Sequence, residues 1–315
     1  MRSDGLTFES SCGESTGVGW ATRYLDSKTG FRAEMAKLAR MTRDLLVPEG
    51  FVCADTNEAY GAVEWFLARK RDCIVKANLG ESGWGLHFVK CARGASAREA
   101  LAATRRAFDG DTIWASTPLV VEEWVEVASG KDVQSPSAEM HVNDAGARLT
   151  YVCAQLVDRL GQFDGVIIGP GFPPDRHRRR IERVASVIGR HFHGLGVRGH
   201  FDIDFVVSSD DRLVAVETNV RRTGGTHVFD LKSSLGPDFA QHLFLAENNC
   251  SYGAVSRSPA EILECLRDIL FAPERQEGVI VTLLPRGSCR LGYVIVAPHY
   301  ARVTSLKRRL RDALS

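Results

Sequence analysis

A chain of 315 residues, 44% of them apolar, can bury a substantial core and is long enough for two or three packed units. Forty Lys and Arg against 39 Asp and Glu give a net charge of +1, so there is no basic surplus of the kind that holds nucleic acid or an anionic membrane surface. No apolar run approaches the roughly 18 residues of a membrane span, and the first residues lack the apolar core of a secretory signal; a cytoplasmic location is expected.

Residues 1–25 are rich in Gly, Ser and Thr without clean periodicity, and read as a lead-in with at most one short element. From Lys28 the apolar spacing through Ala33, Ala36, Leu38, Leu45 and Leu46 predicts a helix that ends before Pro48 and Gly50. Asp55, with Glu58 three residues on, caps a second helix reaching about residue 70. A strand at 72–78, a loop at 80–85 and a returning strand at 86–91 follow. Ser96 with Glu99 opens a third helix, and 118–127 reads as a strong strand. Residues 137–157 alternate as two strands around a turn at 143–146, and Pro170, Pro173 and Pro174 mark an irregular connection. The helix at 176–193 begins with a basic run, Arg176 to Arg180, expected to face solvent. Two β-rich runs, 201–208 and 213–220, are joined by four residues. A helix is predicted for 237–247, and another opens at Ser258 with Pro259 in its first position and Glu261 in its third. The chain closes as β, β, α over 278–284, 291–297 and 301–314. This is α+β organisation without an internal repeat. The eight cysteines form no CxxC pair and have no nearby His at ligand spacing, so neither a zinc site nor a redox pair is indicated; most are expected to be small buried apolar side chains.

The hairpin at 199–227 carries the most chemistry. If Ser208 pairs with Leu213, Asp204 falls opposite Glu217 and Asp202 opposite Asn219, and the period of two puts these four on one face with Ile203, Phe205, Val216 and Thr218 on the other. Carboxylates directly across a strand pair repel, so a cation between them is expected. Oxygen-only ligands at this spacing suit Mg²⁺, which typically takes one or two carboxylates and completes its shell with phosphate oxygens. The plain alternative is a solvated acidic face on an edge hairpin. The following Arg221, Arg222 and Gly224-Gly225 favour the metal reading.

Two weaker motifs precede it. In Cys73-Ile-Val-Lys76-Ala-Asn-Leu-Gly80-Glu-Ser82-Gly83-Trp-Gly85 a lysine on a strand leads into a loop whose glycines let backbone amides approach phosphate oxygens. The spacing matches neither the Walker nor the dinucleotide pattern, and a flexible hairpin with an exposed lysine reads equally well. In Leu119-Val-Val-Glu122-Glu123-Trp124-Val125-Glu126 an apolar strand runs into three carboxylates around a tryptophan. Its end can read an adenine edge or accept bonds from ribose hydroxyls; it can equally be an amphipathic strand end with a half-buried Trp.

The order of these motifs resembles the ATP-grasp superfamily, in which ATP lies between two α+β lobes, and the resemblance covers about residues 28–229. It implies ATP and Mg²⁺ as cofactors. Lys76 is then the phosphate lysine, with Lys28 a second one. Gly80, Ser82, Gly83 and Gly85 belong to the loop over the phosphates. Glu122, Glu123 and Val125 lie at the adenine hinge, with Glu126 near the ribose. Asp204, Glu217 and Asn219 match the magnesium ligands, and Arg221 matches the arginine that meets the substrate carboxylate, with Arg222 and His227 beside it. Within the superfamily, Glu-Thr-Asn-Val-Arg-Arg-Thr-Gly-Gly-Thr-His is similar to peptide ligases of the pheganomycin-synthetase type, and the terminal β, β, α unit resembles their small C-terminal domain. The implied divisions are a lead-in at 1–25, an N-terminal lobe at 26–117, a C-terminal lobe at 118–250 and a small domain at 251–315. Such ligases carry a pre-ATP-grasp domain ahead of the lobes, for which 25 residues are too few. The resemblance implies a ligase that joins small-molecule or peptide carboxylates to amines through an acylphosphate. An ATP-binding module completed by a separate chain and a small-molecule kinase remain alternatives. His227 or His200 is a candidate for proton transfer from the amine. No nucleic-acid or membrane partner is expected; a homodimer is compatible with the sequence.

Overall fold

The computed structural model describes residues 18–79, 84–91, 96–115, 118–127, 135–157, 163–253, 257–284, 287 and 289–315. The smaller of two sheets has strands β1 (Gly50–Cys53), β2 (Cys73–Ala77), β3 (Leu86–Val89) and β4 (Leu119–Glu123) in the order β1-β4-β2-β3, all antiparallel. Its strands alternate cleanly. Cys73, Val75, Ala77, Leu119 and Val121 face helices α3 (Thr56–Ala68) and α4 (Ala97–Asp109), while Ile74, Lys76 and Glu122 face the other way. Both helices start as their caps require. The Asp55 carboxylate accepts from the amides of Asn57 and Glu58, and Ser96 and Glu99 form a reciprocal capping box.

The larger sheet is built from β5 (Ser135–Asn143), β6 (Gly146–Val157), β7 (Phe163–Ile168), β8 (Gly199–Val207), β9 (Leu213–Asn219), β10 (Leu243–Ser251), β11 (Gly278–Leu283) and β12 (Arg290–Ala297), ordered β11-β12-β10-β7-β6-β5-β8-β9. One face is covered along its whole width. Helices α1 (Gly19–Asp26), α2 (Lys28–Ala39) and α5 (Asp175–Gly194) bury Leu25, Met35 and Ile188 against Met140, Phe201 and Ile203. Helices α7 (Pro259–Leu266) and α8 (Tyr300–Leu314) bury Leu266, Leu306 and Leu310 against Leu245, Tyr293 and Ile295. On the opposite face α6 (Thr226–Leu235) covers part of the sheet, placing Val228 against Tyr151, Phe244 and Ala246. The β5-β8-β9 end of that face is left for the site.

Several expectations are corrected. The one short element allowed in the lead-in is present as α1, whose Ala21 and Leu25 are fully buried, whereas α2 ends at Ala39; both join the core of the larger sheet, where the sequence placed α2 in the smaller lobe. Leu45 and Leu46 lie beyond the helix, Leu46 bridging Val214 in extended chain. Residues 243–247 form a strand, not a helix, because Leu243-Phe244-Leu245-Ala246 is paired with β7 and β12 and buried on both faces. The expected β, β, α end is present as β11, β12 and α8, but β12 pairs with β10 and so extends the main sheet. Of the basic run, His177 is buried, and Arg178 donates to the carbonyls of Gly169 and Phe172. The described cysteines are all free thiols; Cys53, Cys73 and Cys153 are buried, whereas Cys91, Cys250, Cys265 and Cys289 are not, and Cys12 lies outside the described residues. No helix among the described residues is long and apolar enough to cross a membrane.

Candidate active site

The register of three antiparallel strands builds the floor of the site. Ser137 of β5 pairs with Asp204 of β8, which pairs with Glu217 of β9; one step along, Glu139 pairs with Asp202, which pairs with Asn219. Two adjacent cross-strand rows therefore carry four carboxylates. The expected facing of Asp204 with Glu217 and Asp202 with Asn219 is met, but the turn is not the one assumed. Val207, not Ser208, pairs with Leu213, and a bulge between Asp204 and Phe205 restores the register. The loop is thus Ser208 to Arg212, closed by the Ser208 amide on the Arg212 carbonyl at 2.9 Å. The bulge has a second consequence. Ala215 takes the core position opposite Phe205, while Val216, expected on the core face, lines the cleft and offers its carbonyl to Lys76 Nζ at 3.3 Å.

Hydrogen bonds fix these side chains in place. Asn219 Nδ2 donates to Asp202 Oδ1 at 3.0 Å and to Asp204 Oδ2 at 3.1 Å, and Gln155 Nε2 donates to Asp204 Oδ1 at 2.7 Å. Lys28 Nζ is ion-paired to Glu217. Burial, with the facing Glu217 charge second, pushes the Asp204 carboxyl up to about 6, and burial beside Asp204 raises Asp202 well above the usual carboxylate range. A set of crowded oxygen donors whose charged forms are disfavoured is one that a divalent cation would relieve. Among the described residues no group of three or more His, Cys, Asp or Glu could hold a metal unaided. The two carboxylates of Asp204 and Glu217 fit Mg²⁺ when phosphate oxygens supply further ligands, and Asn219 would join them by turning its amide oxygen, which here accepts from Arg221, toward the cation.

Two cavities meet at this floor. One, of about 730 Å³, lies between the sheets and is lined by Ile74, Lys76 and Phe88, by Glu122, Glu123, Trp124, Val125 and Val127, and by Gln155, Asp204 and Glu217. Its apolar slot, with Lys76 beside a carboxylate end and Lys307 and Arg311 also in the lining, has the composition of a nucleotide cleft. Lys76 and Arg32 enclose the buried Glu122 carboxylate, so Glu122 orients the lysine. The Glu123 carboxylate is turned to Arg71 and the Glu49 amide. Glu126 is exposed and lines neither cavity; its carbonyl accepts from the Ser209 amide, which joins the hinge to the β8–β9 loop. Gly85, at φ +81°, closes the β2–β3 hairpin with its carbonyl on the Ala77 amide, and Gly80, Ser82 and Gly83 lie outside the described residues.

The other cavity, of about 600 Å³, runs from Asp204, Glu217 and Asn219 past Arg221, Arg222 and His227 to a wall of Tyr151, Phe163 and Val166. The strand stops at Asn219, and the turn that follows brings Arg222 into the lining as well, where it pairs with Asp230. The two glycines in this turn are required by close approach. A Cβ on Gly224 would sit 2.7 Å from the Phe163 ring, and one on Gly225 2.5 Å from the Tyr151 hydroxyl. Burial holds the His227 imidazole below its ordinary range, so it is neutral near pH 7. His200 lines neither cavity; its Nδ1 lies 2.9 Å from Glu139. Glu139, fully buried, also accepts from Tyr151 and from Thr223 and Thr226, which anchors the glycine turn to β5. Sequence reasoning missed Glu139, Tyr151, Gln155 and Asp26 as site residues. None carries a local motif, because each reaches the site from an element distant in sequence.

Solved structures with this architecture define its class. The chain is similar to biotin carboxylase from Campylobacter jejuni in a complex with a β,γ-ATP ligand, with a TM-score of 0.70 at 12% identity over 95% of this chain and 68% of that one. It is also similar to the biotin carboxylase domain of 2-oxoglutarate carboxylase from Hydrogenobacter thermophilus, complexed with MgADP, ADP and bicarbonate (TM-score 0.66, 12% identity, 93% and 67% covered). N5-carboxyaminoimidazole synthase from Aspergillus clavatus, bound to ADP and 5-aminoimidazole ribonucleotide, gives 0.63 at 15% identity over 95% and 75%. The chain has the ATP-grasp fold. In sequence it is similar to the L-propargylglycine–L-glutamate ligase of Streptantibioticus cattleyicolor, 36% identical over 110 residues, which is 35% of this chain and 21% of that protein. The match therefore spans about a fifth of the relative's length. No family model matches the sequence.

Proposed function

We propose that this chain is an ATP-dependent carboxylate–amine ligase that works through an acylphosphate and releases ADP and phosphate. The observation that carries this reading is the meeting of the two cavities at Asp204 and Glu217, with phosphate-type lysines on one side and Arg221 on the other. Adenine would lie against Ile74 and Phe88 at the Glu123 to Val125 hinge, and Lys76 and Lys28 would meet the phosphates. Asp204, Glu217 and the Asn219 amide oxygen would hold Mg²⁺, which when bound neutralises charge on the β- and γ-phosphates. A substrate carboxylate held in the second cavity attacks the γ-phosphorus in line and ADP leaves. An amine then attacks the acyl carbon, the C–N bond forms, phosphate leaves and the ammonium proton is lost. Arg221 and Arg222 would steady first the carboxylate and then the oxyanion, and the neutral His227 is suitably protonated to accept the amine proton.

The sequence relative's name couples two amino acids, so L-amino acids are the first substrates to try. Titration calorimetry with Mg·ATP, followed by ADP release and product mass with pairs of the twenty L-amino acids, tests the reading. Amine-dependent ADP formation with a product lighter by one water than its parts is expected. A phosphorylated, uncondensed product would replace the ligase by a kinase, and failure to bind ATP would overturn both.

A further inference from the structure

Strand β9 is the edge of the larger sheet; Leu46 bridges its start at Val214, and the segment that seals its C-terminal part runs from the end of α1 into α2. The seal follows the strand nearly residue by residue. Thr218 Oγ1 donates to the Leu25 carbonyl at 2.7 Å, the Val220 amide donates to Asp26 Oδ1 at 2.7 Å, and Lys28 Nζ is ion-paired to Glu217. At the cavity wall, Arg221 Nη1 reaches Asp26 Oδ1 at 2.7 Å and Oδ2 at 2.9 Å, while Nη2 donates to Asn219 Oδ1 at 3.1 Å. The guanidinium is thus fixed on both of its terminal nitrogens. The Asp26 and Arg221 side chains are 31% and 35% exposed, and ion pairs that open to water add little to stability. What this pair does provide is direction, because the Val220 amide holds Asp26 and Asp26 in turn sets the plane of the guanidinium.

We infer that Asp26 is a positioning residue for Arg221, aiming its guanidinium at the carboxylate of the acid substrate; this rests on the ligase reading above. Asp26 itself lines neither cavity, so it acts through Arg221 and not on substrate. Asp26→Asn keeps an acceptor for the Val220 amide and removes the charge and one carboxylate oxygen from Arg221.

The test has two parts. With Mg·ATP and the L-amino acid pair that gives the fastest ADP release, Asp26→Asn should lower kcat about tenfold, ~1.4 kcal/mol of transition-state stabilisation, and leave the KM for ATP within about twofold of wild type. In an Arg221→Gln background the same change should cost nothing further. The second part needs no turnover. Phenylglyoxal should modify Arg221, read by peptide mass, several-fold faster in Asp26→Asn than in wild type. Wild-type kinetics in Asp26→Asn, losses that multiply in the double variant, or unchanged Arg221 labelling would each overturn the inference, as would a lowered Tm with unaltered rates. Wild-type protein inactive with every pair but showing the labelling difference would count against the ligase reading and leave the Asp26–Arg221 pairing standing.

Discussion

The two walls of the interlobe cleft balance their charge differently. On the smaller sheet Glu122 is enclosed by Lys76 and Arg32, two cations around one buried carboxylate. On the larger sheet Glu139, Asp202, Asp204 and Glu217 stand in two adjacent rows; Lys28 is ion-paired to Glu217, and Arg221 is matched by Asp26. At the first wall the buried carboxylate is more than matched, by Lys76 of the same sheet and by Arg32 of α2. The second keeps two carboxyls with raised affinity for protons, chiefly because they are buried, and on the proposed function a bound cation would offset them.

If that difference is functional, removing charge from the two walls has unequal effects. The largest is expected for Glu217→Gln, which should lower turnover by roughly 10²-fold or more, the scale of a lost electrostatic stabiliser; ADP release at the wild-type rate would remove Glu217 from the metal set. Lys76→Ala removes one of the two cations around Glu122 and should weaken ATP binding about tenfold in calorimetry while leaving the preference among amine substrates unchanged. Asp202→Asn sharpens the contrast through stability. A carboxyl whose folded pKa is raised costs stability as pH climbs through its ordinary range, so this variant should melt a few degrees above wild type at pH 8, with the gap closing toward pH 4. The smallest effect lies away from the cleft. Arg302 holds the Glu277 carboxyl below its usual range, so their pair stabilises above that range and the benefit fades as pH falls through it. Arg302→Gln should cost at most about 1 kcal/mol at pH 7 in urea titrations, and nothing near pH 2.

How far this contrast was legible in the sequence depended on where each group sits along the chain. The acidic rows were readable because Asp202, Asp204, Glu217 and Asn219 share one hairpin and the period of two holds from Asp202 to Asp204 and from Glu217 to Asn219. The bulge that recruits the Val216 carbonyl for Lys76 was not, since a one-residue slip leaves no mark in composition. Apolar runs buried on both faces misled for the same reason that Leu243 to Ala246 could pass for a helix. Glu139 and Asp26 lie 60 and more residues before the hairpin they support, which starts at Gly199, and only the pairing of β5 with β8 and the packing of α1 along β9 bring them there. Caps, by contrast, are local, and Ser96, Ser258 and Asp55 behave as their sequences indicate.

The acidic wall as a Mg·ATP site is tested most directly by measuring ATP affinity with and without Mg²⁺ in wild type and in Glu217→Gln. Wild type should bind ATP at least about tenfold more tightly with Mg²⁺ than in its absence, and Glu217→Gln should lose most of that gain while keeping the weaker, Mg²⁺-independent binding. Equal ATP affinity with and without Mg²⁺ in the wild-type protein, or a full Mg²⁺ gain in the variant, would contradict it.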